Sequence, residues 1–420
     1  MQEQLLHRIW QRKHFDHGNL ITTSGLPLKI IHYGHYNTHA GPDFQNGQIQ
    51  IENQNWFGHI EIHVKSSEWK SHKHHLDPAY NNVILHVVFE DNQKVYTQSG
   101  RLIPTLVLCN RIDRDVLSRY ANLNSSIDII PCKSNLLYID SDKYKLFFHR
   151  LIIERLERKS NELIKTLTSS KYDWEGVLFK WLLKYACPKS NKGAFELLGE
   201  RLSLNLIYKY SRNLSQLEAL FLGQAGILNP EDEYTEKLVR EYKHLKNKHK
   251  LIPMTGVEWR FSRMRPNQFP TLRLVQIAFL YSKVPGLFQT ILNTPMNEWK
   301  GIFKINTSDY WKTHYLPGRP SVYKEKRWGK LMIHNILINV IIPLVYIYGK
   351  KTGTTSLSEN AIELMYTFPA ENNNVLRLWK DVGINAENAA QSQALIQLKS
   401  EYCDHYLCMN CSIGQELLFK

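Results

Sequence analysis

At 420 residues the chain exceeds what one hydrophobic core usually organises, so two domains are expected. Its 43% hydrophobic and 22% charged residues match a globular interior and exclude a disordered or fibrous design. The net charge of +14 sits almost wholly in the later part, since residues 1–135 hold 13 Lys and Arg against 12 Asp and Glu while the remainder holds 40 against 27; such a surface attracts a polyanion, nucleic acid and DNA in the first place.

In chain order, Glu3 to His14 carries Leu5, Leu6, Ile9 and Trp10 at helical spacing, an amphipathic helix rather than a secretory leader, so a cytoplasmic protein is expected. Short β-type runs follow at Leu28–His32, Gly47–Glu52, Gly58–Lys65, Asn82–Glu90 and Pro104–Leu108, separated by turn-forming stretches such as Asn37–Pro42 and Glu52–Asn55. From about Lys143 the texture becomes helical: Leu146–Leu167, Trp174–Ala186, Gln216–Gly223, Tyr234–Lys248, Thr271–Leu280, Leu357–Met365 and Ala386–Tyr402. The apolar run Leu331–Tyr348 is interrupted by His334, Asn335, Asn339 and Pro343, which predicts a buried core helix and no membrane partner. The expected fold class is α+β, with a sheet part at 1–135 and a mostly helical part at 136–420.

Gly58-His-Ile-Glu-Ile-His-Val-Lys65 is the most informative stretch. Strand alternation puts His59, Glu61, His63 and Lys65 on one face and Ile60, Ile62 and Val64 on the other. Ionisable groups in such a row suit a cation and a water. Upstream, Gly41-Pro42-Asp43-Phe44 places a carboxylate at the end of a turn. Twelve of the 18 histidines lie before residue 90, and His72, His74, His75 and Asp77 crowd the stretch after the strand, a donor set that Zn²⁺ also accepts.

Pro42-Asp43 followed by an acid and a lysine on a strand resembles the PD-(D/E)xK nuclease superfamily, although His63 stands two residues before Lys65 where that pattern has an acid. The resemblance implies a restriction-endonuclease-like mixed sheet with a flanking helix. It further implies Asp43 and Glu61 as ligands of Mg²⁺ or Mn²⁺, His63 as an auxiliary ligand, Lys65 acting on the attacking water, and Glu3 on the first helix as an extra ligand. Near the end, Cys403, Cys408 and Cys411 give C-x₄-C-x₂-C, a spacing that wraps Zn²⁺ or an iron–sulfur cluster. Cys132 is the favoured fourth ligand, ahead of Cys187 and His405. The layout resembles that of iron–sulfur nucleases with one upstream cysteine and three after the core.

In the helical part, Trp259 to Arg273 mixes Arg260, Arg263, Arg265 and Arg273 with aromatics and prolines, a composition that can hold phosphates and stack bases. Phe221-Leu-Gly-Gln-Ala-Gly226 is better explained by close helix packing than by phosphate binding. Together with Tyr36-Asn-x-x-x-Gly-Pro-Asp-Phe44, Glu61-Ile-His-x-Lys-Ser-Ser-x-Trp69, Arg263-x-Arg-Pro-Asn-x-Phe-Pro270 and the final Cys-x₂-Cys-x-Ile-Gly414, it makes the chain resemble the bacterial domain of unknown function 2851, common in the Bacteroidetes. The leading expectation is a metal-dependent nuclease acting on DNA, possibly in repair, defence or recombination. The alternatives are a nucleic-acid-binding scaffold with a degenerate site and a zinc-dependent hydrolase built on His72 to Asp77. No helicase or ATP-binding motif is present, so an energy-driven step would need a protein partner.

Overall fold

The computed structural model describes residues 2–138, 143–171 and 173–419. The chain forms two compact units, one of Met1–Phe147, Asp381–Gly383 and Leu398–Lys420, the other of Phe148–Lys380 and Ile384–Gln397. The sheet and the cysteine-bearing C-terminal segment therefore share a unit, whereas the sequence reading ended the sheet part at 135 and gave that segment to the helical part.

In the first unit, helix α1 (Glu3–Gln11) buries Leu5, Leu6, His7, Ile9 and Trp10 and ends where Lys13 turns left-handed. Six strands follow: β1 (Leu28–His32), β2 (His35–Tyr36), β3 (Phe44–Ile51), β4 (Gln54–Lys65), β5 (Val83–Glu90) and β6 (Thr105–Val107). They form one mixed sheet of order β1-β3-β4-β5-β6, with β2 beside β3. The pairs β1–β3, β2–β3 and β3–β4 are antiparallel; β4–β5 and β5–β6 are parallel. A parallel pair needs a crossover, and residues 66–82 supply it through the short helix α2 (Glu68–Ser71) and two 3-10 turns, His74–Leu76 and Pro78–Tyr80, none of which the sequence reading resolved.

Both faces of β4 are covered. Ile60 and Ile62 are fully buried on one, worth about 1.5–3 kcal/mol each by transfer. Glu61 and His63 are also buried on the other, where α1 packs. The crossover is anchored by Trp69, which clusters with Tyr80, Val83, Val95 and Ile103 and donates its indole N–H to the Tyr96 carbonyl at 2.9 Å. A helix α3 (Arg114–Ser125) completes the unit ahead of Cys132.

The second unit is helical. Helices Leu214–Gln224 and Glu233–His249 approach so closely that a methyl on Gly223 would meet the Tyr242 ring at 2.2 Å, which explains the glycine of the Phe221–Gly226 motif by packing. Among the described residues one helix, Lys330–Thr352, is long and apolar enough to cross a membrane, and 72% of its apolar window is buried within the structure. Pro343 lacks an amide and crowds the carbonyl four residues back, and the helix relaxes into a π turn at Leu337–Ile341. Asn339 on that turn accepts from the buried Lys159 amino group at 2.6 Å. Burial pulls Lys159 well below the usual lysine range.

Candidate metal centre

The turn before β3 sets the first carboxylate. Asn37 donates its side-chain amide to the carbonyls of Ala40 (3.3 Å) and Pro42 (3.1 Å), and its main-chain N–H to the Asp43 carbonyl at 2.7 Å. Gly41, with φ 102°, makes the bend that a side chain would resist. Asp43 then locks onto β4: its Oδ2 accepts from the Ile62 amide at 3.0 Å, while its own amide donates to Glu61 Oε2 at 3.0 Å. Each carboxylate is thus fixed by a main-chain amide, Asp43 by that of Ile62 and Glu61 by that of Asp43.

The remaining Glu61 oxygen faces imidazoles. Glu61 Oε1 lies 3.2 Å from His74 Nε2 and 3.8 Å from His63 Nε2. His63 Nε2 lies 3.1 Å from His72 Nδ1, and one nitrogen from each of His63, His72 and His74 falls within 4.8 Å of the others. Two imidazoles sharing one ion through bonds of roughly 2.1 Å place their nitrogens a little over 3 Å apart, so the spacing fits a shared cation. His63 is buried, His74 half-buried and His72 exposed, so the cluster opens to solvent on the His72 side.

A second layer orients these groups. His63 Nδ1 meets His86 Nε2 at 2.8 Å across the β4–β5 pair, the contact that holds a ligating imidazole in one tautomer. His74 stacks on Tyr80 at 3.9 Å. Glu68 accepts from the amides of Val64 (2.9 Å) and Lys65 (3.1 Å), which ties α2 to the end of β4. From α1, His7 Nε2 approaches Asp43 Oδ2 at 3.3 Å and Glu3 Oε1 at 3.7 Å.

The electrostatics are those of a site short of positive charge. Burial, then Asp43 beside it, pushes the Glu61 carboxyl up to about 9. Burial, then His86 and the other imidazoles, pulls His63 down to about 2, and burial followed by His74 takes His86 to about 3. Burial also raises Glu3. Burial of His7 opposes its protonation, but Asp43, Glu3 and Glu61 outweigh it and raise the group. Three carboxyls and a set of imidazoles, with His63, His74 and His86 lowered by burial, thus converge on one place, a donor set able to hold a divalent cation.

Some sequence-expected site residues meet here and others do not. Glu3, Asp43, Glu61, His63, His72 and His74 come together. Lys65 does not join them: it is half exposed and pairs with Glu90 across the parallel register at 3.5 Å. Four residues of strand separate it from Glu61, roughly 13 Å. Asp77 instead caps the Pro78–Tyr80 turn, accepting from the Ala79 amide at 2.8 Å. In the second unit Arg260, Arg263 and Arg265 are exposed, while Arg273 is largely enclosed and donates to Gln276 at 3.0 Å, so it leaves the expected basic strip. His7, His86 and Tyr80 were not singled out beforehand. The helical spacing of His7 from Glu3 and Trp10, and the placement of His86 in an apolar strand, were the signals available for two of them.

The fold and its polar cluster define a mixed α+β protein with an acid- and histidine-lined centre in its sheet-bearing unit. The model of the family of proteins of unknown function DUF2851 matches residues 3–374, nearly the whole chain, and the protein belongs to that family. No curated protein and no solved structure matches it.

Proposed function

We propose that the first unit is a metal-dependent phosphodiesterase acting on nucleic acid, DNA in the first place. The observation that carries this reading is the convergence of Asp43 and Glu61, their carboxylates fixed by the Ile62 and Asp43 amides, with His63, His72 and His74 at a solvent-open edge. The nuclease pattern can be read one alternation earlier than the sequence implied: Glu61 takes the place of its acid, and the neutral imidazole of His63 stands where the lysine would, a donor and not a cation. A mixed sheet with the helix carrying Glu3 against the acid-bearing strand supports the same comparison.

Imidazole donors beside carboxylates favour Mn²⁺ or Zn²⁺ over Mg²⁺, which keeps to oxygen. When bound, such an ion lowers the pKa of a water and screens charge on a phosphate. Glu61 and Asp43 hold the cation side of the site, and His63, His72 and His74 supply the nitrogen donors. His7, raised by its acidic neighbours, is a proton donor beside Asp43. The exposed Arg260, Arg263 and Arg265 offer phosphate contacts in the helical unit.

The test is cleavage of labelled single- and double-stranded DNA and of RNA with Mn²⁺, Zn²⁺, Mg²⁺ or chelator. Cleavage with Mn²⁺ or Zn²⁺ that falls at least about 100-fold in Glu61→Gln, yet stays within about fivefold in Lys65→Ala, is expected. Absence of cleavage with every metal abandons the reading. The position of Lys65 favours one second reading, a degenerate nuclease that binds nucleic acid without cutting it; binding retained in chelator without cleavage would establish it.

A further inference from the structure

Beyond the centre the polar face of the sheet lies open. Alternation along β4 carries the row of Glu61 and His59 back to Phe57 and Asn55, at the strand's exposed start. Across the antiparallel ladders Phe57 stands opposite Gln48 and Gln48 opposite His32, while Asn55 stands opposite Gln50 and Gln50 opposite Lys29. Opposed residues share a face, so two rows of three side chains cross β1, β3 and β4. Lys29, His32, Asn55 and Phe57 are exposed and the two glutamines partly so. The reverse face of the same strands is buried through Leu28, Ile49 and Ile51, which holds the register and keeps these rows toward solvent.

The composition of the face selects its occupant. Strands β1, β2 and β3 contain no Asp or Glu, and Glu61 is the one acid of β4, so an approaching chain meets Lys29, imidazoles and amides first and carboxylates only at the centre. That order suits a polyanion, with Lys29 as a phosphate contact. Phe57, 66% exposed, offers its ring to a planar partner, and the amides of Gln48, Gln50 and Asn55 beside it are donors and acceptors for base edges. A protein partner would need an apolar core that one ring among amides does not supply. The bases of a duplex already stack on one another, so a ring on an open sheet takes only an unpaired base.

We propose that this face binds single-stranded nucleic acid, stacks one base on Phe57 and leads the strand along β4 to Glu61, roughly 13 Å away. The inference rests on the reading of the centre as a nucleic-acid phosphodiesterase and gives that reading its substrate class.

The test is fluorescence anisotropy of a labelled oligothymidylate, and of a duplex of equal length, with the full chain in chelator so that nothing is cut. An Arg260→Ala/Arg263→Ala/Arg265→Ala background removes the phosphate contacts of the helical unit. Phe57→Ala is expected to weaken single-strand binding about tenfold, and Phe57→Leu, apolar but without a π face, as much, while Phe57→Tyr keeps it and duplex binding does not change. Phe57 is exposed, so the variants should melt with the parent chain. No single-strand binding by the parent, full binding by Phe57→Ala or Phe57→Leu, or a parallel loss of duplex binding would overturn the proposal. Because binding is read without metal, Phe57-dependent binding by a chain that never cuts ends the phosphodiesterase reading alone. Cleavage of single strands with unchanged kcat/KM in Phe57→Ala ends this one alone.

Discussion

His86 shows how much of the centre rests on groups that cannot touch a substrate. It is fully buried in β5, and its Nε2 meets His63 Nδ1 at 2.8 Å, leaving His63 Nε2 to face Glu61 and His72. Replacing His86 by leucine keeps most of the volume and removes the contact that sets the His63 tautomer. Metal affinity, read by titration calorimetry with Mn²⁺ or Zn²⁺, is expected to weaken about 10–100-fold, with the melting temperature lowered by only a few degrees. Unchanged affinity would remove His86 from the support of the centre. At this same scale the alternation of β4 was legible in advance, because side chains at i and i+2 share a face whatever the sheet does. Which of His59, Glu61, His63 and Lys65 would be buried was not legible, since burial depends on α1 and the crossover covering only the middle of the strand.

The crossover between β4 and β5 is the element on which the centre turns, because it returns His72 and His74 over His63. Trp69 holds it: the ring is fully buried against Tyr80, Val83, Val95 and Ile103. Trp69→Ala is expected to cost about 3–5 kcal/mol in chemical unfolding and to abolish metal binding, and Trp69→Phe to cost less because most of the apolar area survives. Equal losses in both would mean that the indole N–H to Tyr96, rather than packing, holds the element. The sequence reading assigned no element between Lys65 and Asn82. The short helix and two 3-10 turns there lie below the length at which periodicity is detectable, and they form because the parallel register of Glu61 with His86 needs a compact return.

At the scale of the whole molecule, the helical unit yields to two measurements of its own. In the helical unit, Lys326 is almost wholly buried, donates to the His314 carbonyl at 2.7 Å and lies 3.7 Å from the Tyr315 ring centroid. Burial pulls it down to about 8. Between that value and the ordinary lysine value the unfolded chain binds more protons than the folded one, so this group makes stability rise with pH across the window and adds no slope below it. Urea unfolding from about pH 7 to about pH 9.5, short of the tyrosine range, should give a more positive slope for wild type than for Lys326→Met; identical slopes would contradict the burial argument. For nucleic acid, Arg260→Ala/Arg263→Ala/Arg265→Ala should weaken binding across sequences and lower the salt slope by up to about three, whereas Arg273→Ala, already engaged with Gln276, should leave that slope unchanged.

From the sequence alone follow the amphipathic first helix, a turn ending in Asp43, a strand carrying Glu61 and His63, and the helical character of the later part. All of these rest on spacing within a few residues. Only the tertiary structure decided that Lys65 pairs with Glu90 away from the acids, that His7 and His86 close around the centre, and that Tyr406 of the C-terminal segment bonds back to Ser126. The reason is physical: local periodicity fixes which side of an element a residue occupies, whereas strand register, crossovers and the return of distant segments fix what it meets there.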